Sequence, residues 1–161
     1  MPRSDLPDFS YVGEYEYSLT CCTFNRHCWF TTPSIVDPAC TQLLQIANEK
    51  RFEIPAYCFM PDHVHLVVDG RQDNADCKAY IKALKQYSNY YFKQARRETL
   101  FQRYGYERMI RTDVERALTI AYVVANSVVA GLVTRAEDYP FLGSEIYSLE
   151  DLLAIAESAS T

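Results

Sequence analysis

Apolar and polar positions alternate with two different periods along this chain, and each change of period marks an element. From Glu14 to Thr23, Tyr15, Tyr17 and Leu19 alternate with polar partners, the period-two pattern of a half-buried strand. Between Pro33 and Arg51 the period lengthens. Ile35, Leu43, Leu44, Ile46 and Ala47 fall at helical spacing, after a Thr32-Pro33 cap and first-turn proline. Phe52–Met60 and His63–Asp69 are strand-like runs interrupted only by Pro61-Asp62, which predicts a strand pair. A long helix is predicted from Asp73 or Asn74 to Arg97, and a fourth strand from Tyr104 to Arg111. Thr112-Asp113 then caps a helix running to Val129, with Gly131 as its stop. The order β-α-β-β-α-β-α predicts an α+β domain, helices packed on a mainly antiparallel sheet. With no internal repeat, low-complexity run or linker, one domain is expected over residues 1–161. Its core spans 12–133, and an acidic tail, 134–161, ends in a short helix.

Composition narrows the class. A chain of 161 residues that is 48% hydrophobic can bury one sizeable core. No apolar run approaches the roughly 18 residues of a membrane span. Met1–Tyr11 carries acids and prolines rather than a basic stretch followed by an apolar one, so no secretory signal is expected. The six cysteines, at 21, 22, 28, 40, 58 and 77, lack CxxC spacing. Cys22, Cys40 and Cys58 sit in apolar contexts that suit reduced thiols. A cytoplasmic protein without disulfides or structural zinc follows.

Charge changes the picture more. The net charge is −5, yet Lys78–Arg116 holds ten Lys and Arg against four acids, and no base follows Arg135. Segregation of this kind gives one attractive face despite an acidic total. On the long helix, Lys78, Lys82, Lys85, Asn89, Lys93 and Arg96 recur at spacings of three and four with no acid among them. A solvated face mixes signs to form i, i+4 pairs, whereas an all-basic stripe suits a polyanion. Tyr80, Ile81, Leu84, Tyr87 and Tyr91 lie on another side and are expected in the core.

The candidate chemistry centres on Met60-Pro61-Asp62-His63-Val64-His65-Leu66, which holds two of the three histidines. On a strand His63 and His65 share one face while Val64 enters the core behind them. Two imidazoles so placed make half of a metal site or a phosphate clamp. A histidine-triad transferase would need a third His where Val67 stands, and barrel hydrolases need more ligands and a longer chain. A three-histidine zinc site would need His27 to fold back. An oxygen donor as the remaining ligand points instead to Mg²⁺ or Mn²⁺. Tyr122 and Asn126, four apart on a helix, share one face, which would set a potential nucleophile beside a carboxamide oxygen, although a packed structural tyrosine is the default for that spacing. Tyr87, Tyr90, Tyr91, Tyr104 and Tyr106 compete for the nucleophilic role.

Four segments in order resemble the single-tyrosine HUH transposases, and among them the REP-associated tyrosine transposases. They are YCFMPDHVHLVV at 57–68, Leu100-Phe101-Gln102-Arg103-Tyr104-Gly105-Tyr106, AYVVANSVVAGLV at 121–133, and Asp138-Tyr139-Pro140-Phe141 with Ser144. The resemblance implies an HUH arrangement of the ferredoxin-like kind. It makes His63, His65 and Asn126 metal ligands and Tyr122 the nucleophile. The implied substrate is single-stranded DNA with short hairpins, cleaved through a 5′-phosphotyrosine and rejoined without ATP. Lys78, Lys82, Lys85, Lys93, Arg96 and Arg103 would contact its backbone. A free tyrosine, with pKa ~10, needs help from metal and cations to act as a phenolate.

Two departures stand out. Asn126-Ser127-Val128-Val129 replaces the family's Asn-Pro-Val-Arg, which is expected to loosen the helix end or remove a phosphate contact. The tail is acidic where many relatives are basic. Both fit a divergent or domesticated member. Two other readings stay open: a non-catalytic DNA-binding relic, and a metal-dependent phosphoesterase using water with Tyr122 structural. A monomer acting in cis and a homodimer are both compatible with the pattern.

Overall fold

The computed structural model describes residues 10–161. The N-terminal segment read above as lacking a secretory signal therefore lies largely outside the described residues. The elements are β1 (Glu16–Cys22), α1 (Pro33–Glu49), β2 (Phe52–Met60), β3 (His63–Gly70), α2 (Cys77–Arg96), β4 (Tyr106–Ile110), α3 (Asp113–Val129), β5 (Leu142–Gly143) and α4 (Leu149–Ala159). Short 3₁₀ turns stand at Phe24–Arg26 and Ala136–Asp138. The sheet runs β4-β1-β3-β2-β5 with every neighbouring pair antiparallel, which is the expected α+β, ferredoxin-like order with one short strand added.

Strand alternation divides the residues between two layers. Tyr17, Leu19 and Cys21 of β1 pair with Val68, Leu66 and Val64 of β3, and all six are buried against α1 and α2. The intervening positions of β3, His63, His65, Val67 and Asp69, face α3 and α4. On β2 the faces exchange midway. Phe52 and Ile54 join the α1/α2 core, whereas Ala56, Cys58 and Met60 join the other, because a bulge inserts an extra residue between Glu53 and Ala56. Pro55 sits in that bulge, where a missing N–H costs no ladder bond.

Helix ends are set by local chemistry. Thr112 caps α3 by accepting from Glu115 N–H, and the Glu115 carboxylate accepts in return from Arg111 N–H. Gly131 (φ +76) closes its far end, with Gly131 N–H donating to Val128 O and Leu132 N–H to Ser127 O. These bonds close the helix end without a proline after Asn126. The Asp76 side chain caps α2, so the helix starts at Cys77, later than the expected Asp73 or Asn74. The fourth strand begins two residues late, since Lys85 and Gln102 hold the Arg103 and Tyr104 carbonyls in a turn before it.

One core expectation fails in part. Tyr80 and Leu84 are fully buried, but Tyr87 and Tyr91 are each 53% exposed. At their level the covered positions are Ser88, which is buried, and Phe92, which packs on the core, so Tyr87 and Tyr91 fall outside the covered face of α2. The acidic segment after residue 133 folds back instead: Leu152 of α4 is buried beside Ile120, Val123 and Val124 of α3. Among the described residues no helix is long and apolar enough to cross a membrane.

Candidate active site

β3 sets the centre of the site. His63 and His65 share the face toward α3, with ring centroids 4.6 Å apart and nearly perpendicular planes. Register places His65 between Thr20 of β1 and Cys58 of β2, and His63 between Cys22 and Met60. α3 crosses above. Arg116 anchors it, donating to Asp69 (3.1 Å), Glu16 (3.2 Å) and the Tyr147 hydroxyl (3.1 Å). Two turns along, the Tyr122 ring lies 5.3 Å from that of His65. Since Arg116 meets Asp69 and Tyr122 meets His65, α3 runs antiparallel to β3, and Asn126, one turn on, falls toward the His63 end. Four residues from two segments thus reach one face.

Each imidazole is fixed through the same ring atom. His63 Nδ1 donates to Asp62 Oδ1 at 2.7 Å, and Asp62 Oδ2 accepts from Arg26 Nε at 2.9 Å. Arg26 also reaches the Cys22 sulfur. His65 Nδ1 bonds the Thr20 hydroxyl at 2.9 Å. With Nδ1 engaged on both rings, each Nε2 can present a lone pair, the usual outer-sphere arrangement behind metal-binding histidines. Burial first, then electrostatic interaction with His63 and Arg26, lowers the His65 pKa to about 4, which keeps its imidazole neutral at pH 7. Burial alone would raise the Asp62 pKa, but its hydrogen bonds to His63 and Arg26 outweigh this and hold the carboxyl below its ordinary range.

The donor set fits a hard divalent cation. Among the described residues no three His, Cys, Asp or Glu side chains converge on one point. His27 does not fold back; its ring lies 4.4 Å from Trp29, which packs on Phe92 of α2. The Asn126 carboxamide nitrogen is buried with no hydrogen-bond partner, and a cation would be held by the oxygen at the other end of that group. Tyr122 is 61% exposed, open to a substrate as large as a nucleic acid.

The basic stripe is only partly a surface. Lys85 is buried, its ammonium donating to Arg103 O at 3.0 Å, and Asn89 bonds both backbone groups of Phe101. These two anchor the segment between α2 and β4, which corrects the expectation that Lys85 meets a polyanion. Lys78, Lys82, Lys93, Arg96 and Arg103 are exposed. Sequence reasoning missed Thr20, Arg26 and Asp62 as partners of the histidines. Asp62 had a signal in its place beside His63; Arg26 and Thr20 become neighbours only through the sheet. Tyr139 lies in the matched segment at 138–141 but had no role assigned; its hydroxyl donates to Phe59 O and seats the Tyr-Pro-Phe segment against β2.

Comparison with known proteins places this geometry. A protein of Haemophilus influenzae described as a REP-associated tyrosine transposase is 31% identical over 108 residues, which are 60% of this chain and 61% of that protein. The chain therefore matches under two thirds of that curated relative's length. A solved REP-associated tyrosine transposase bound to a REP hairpin superposes with a TM-score of 0.70 at 21% identity, covering 86% of this chain and 81% of the other. A Deinococcus radiodurans R1 protein described as a transposase gives 0.54 at 24% identity, covering 74% of this chain and 95% of the other. These two likenesses establish a shared fold. Residues 11–122, well over half the chain, match the family described as Transposase IS200 like, so this chain belongs to the IS200-like transposases.

Proposed function

We propose that this chain, as one domain over its 161 residues, cuts and rejoins single-stranded DNA beside hairpins, with Tyr122 as nucleophile. The supporting observation is the Tyr122 ring set 5.3 Å from His65 on the face that His63 shares. His63, His65 and Asn126 would hold Mg²⁺ or Mn²⁺. When bound, that ion supplies charge to polarise a phosphoryl oxygen and orient it toward the phenol. Tyr122 Oη attacks the scissile phosphorus and gives up its proton, and the phosphorus–O3′ bond breaks. A 5′-phosphotyrosyl chain and a free 3′-hydroxyl result. A second 3′-hydroxyl attacking the same phosphorus restores a phosphodiester and releases Tyr122, so bond energy is conserved and no nucleotide is consumed. Lys78, Lys82, Lys93, Arg96 and Arg103 neutralise the DNA backbone. The solved relative bound to a REP hairpin supports a hairpin substrate for this fold. A cytoplasmic site of action and a monomer working in cis complete the reading.

The test is incubation with hairpin-bearing single-stranded DNA and Mn²⁺, read on a denaturing gel beside Tyr122→Phe. A covalent protein–DNA band that needs both metal and Tyr122 is expected. Cleavage that persists in Tyr122→Phe would transfer the chemistry to water, and hairpin binding without cleavage would leave a DNA-binding relic. Because Tyr122 is 61% exposed, the substitution should leave the melting temperature unchanged.

A further inference from the structure

α3 packs on β2 and β3 and leaves the other half of its sheet face partly open. Strand alternation puts Ser18 and Thr20 of β1 and Tyr106 and Arg108 of β4 on that half: Thr20 bonds His65 and pairs with Tyr106, and Ser18 pairs with Arg108. Ser18 and Thr20 are half-buried, whereas Tyr106 and Arg108 are exposed. The turns of α3 keep step with the rows of the sheet beneath. Arg116 meets Asp69, the Thr119 hydroxyl accepts from Arg108 Nη2, Tyr122 meets His65, and Asn126 falls toward His63. A helical turn advances about 5.4 Å and two strand residues about 6.6 Å, near enough to hold this match over four rows.

The two arginines on these rows are held differently. Arg116 is half-buried and meets two carboxylates and a phenol. Arg108 makes no ion pair among the described residues, and its one hydrogen bond is to the Thr119 oxygen, at 3.4 Å. That oxygen accepts, because its hydrogen is donated to Glu115 O at 2.7 Å. The guanidinium thus spends one donor, weakly, on a neutral partner and keeps the others for a ligand. Such a contact is too long to account for Arg108 as a fastener of β4 to α3. Its place beside the nucleophile is the better account. Thr119 stands one turn before Tyr122 and Asn126 one turn after. Helical side chains lean toward the N-terminus, which tips the Tyr122 side chain back toward Thr119 and the Arg108 guanidinium.

We infer that Arg108 is a further catalytic residue, whose guanidinium holds a non-bridging oxygen of the scissile phosphate from the side of Tyr122 opposite Asn126. This rests on the tyrosine-nuclease reading above and deepens it, by naming a second source of positive charge at the reacting group. As the bond from Tyr122 Oη to phosphorus forms and the phosphorus–O3′ bond breaks, negative charge gathers on the non-bridging oxygens. Arg108 donates hydrogen bonds to them and transfers no proton. The phenol proton leaves to solvent, and O3′ takes one from solvent to become a hydroxyl. The planar fork of an arginine spans two phosphate oxygens at once, which an ammonium cannot do.

The test removes one charge from each partner. A strand that binds the parent protein is selected in EDTA from a random pool of hairpins with unpaired tails. Methylphosphonate, a neutral linkage, is then placed at each tail position in turn. Fluorescence anisotropy in EDTA should show one linkage at which this change weakens the parent about fivefold or more. Arg108→Ala should lose a similar factor on the unmodified strand and nothing further at that linkage. With Mn²⁺, the same linkage should be the one joined to Tyr122 in the covalent band. Arg108→Ala should form that band about 100-fold more slowly, and Arg108→Lys at an intermediate rate. All three proteins should melt at the same temperature, since Arg108 is exposed. Losses that multiply at every linkage, or coupling at a linkage other than the cleaved one, would overturn the inference. Coupling without a covalent band leaves Arg108 on a phosphate and sinks the cleavage reading. A band without coupling does the reverse, and a lowered melting temperature beside it would make Arg108 a fastener after all.

Discussion

The two faces of β3 are built to opposite specifications from alternate residues of one strand. Toward α1 and α2, Val64, Leu66 and Val68 are wholly buried against Tyr17, Leu19, Phe59 and Tyr80, a dry apolar layer. Toward α3 and α4, His63, His65 and Asp69 carry nitrogen and oxygen, each held by a named partner from another segment. The first face gains free energy from apolar area and shape. The second must compensate the desolvation of polar groups with hydrogen bonds, and its geometry is tuned by those bonds. Stability and chemistry are thus separated across the thickness of one strand, and substitutions on the two sides should fail differently.

The largest stability effect belongs to the dry face. Leu66→Ala removes a fully buried side chain from the centre of the α1/α2 layer and should cost about 2–5 kcal/mol in urea unfolding. Mn²⁺ affinity of the protein that stays folded should be unchanged, because Leu66 points away from the histidines. A matched fall in metal affinity would mean that the faces are coupled through the backbone and would break the comparison.

The same division explains what could be read from the chain. Periodicity revealed the elements because both faces impose it: β2, the start of β3, and both ends of α3 lie where the pattern and caps placed them. The shared face of His63 and His65 follows from strand geometry alone, and Tyr122 with Asn126 from helical spacing. Partnerships across the sheet were not legible. Arg26 meets Asp62 across 36 residues and Thr20 meets His65 across 45, distances over which no local pattern carries information. Lys85 was misread for a related reason. A helical repeat gives the side on which a residue points, but not that the 99–105 segment folds over that side and buries it. Tyr87 and Tyr91 show the converse, since periodicity cannot say how far round the helix the covering body reaches: Ser88 and Phe92 are covered and the two tyrosines are not.

The polar face carries a pH signature that the dry face lacks. His65 has its folded pKa lowered to about 4, against about 6.5 in an unfolded chain, so the unfolded state binds the proton more readily between those values. The resulting stability is fully present above pH 6.5 and is lost as pH falls through 4. The whole step should amount to about 3 kcal/mol. Chemical denaturation in EDTA at pH 7, 5.5 and 4, comparing the parent with His65→Gln, isolates this contribution from the carboxylates common to both. Parallel pH profiles for the two proteins would show that His65 takes up its proton in the fold as easily as in the open chain.

The smallest effect concerns how far the polar face depends on residues that would never touch a ligand. Asp62→Asn keeps the size of the side chain but withdraws the negative charge opposite His63 Nδ1 and weakens the hold of Arg26. His63 should then bind metal less well through Nε2, and Mn²⁺ affinity by calorimetry should drop about 10- to 100-fold. Arg26→Lys should fall less, because an ammonium can still neutralise Asp62 but lacks the planar fork that reaches the carboxylate and the Cys22 sulfur together. Neither change touches the α1/α2 layer, and Asp62 and Arg26 both retain solvent contact, so the urea midpoint should move little. If Asp62→Asn cost stability while sparing metal affinity, the carboxylate would be a fastener of the β2–β3 turn, through its bond to Arg26. If affinity falls and stability holds, Asp62 is a positioning residue, and the outer shell of the histidines reaches from β3 into the turn after β1.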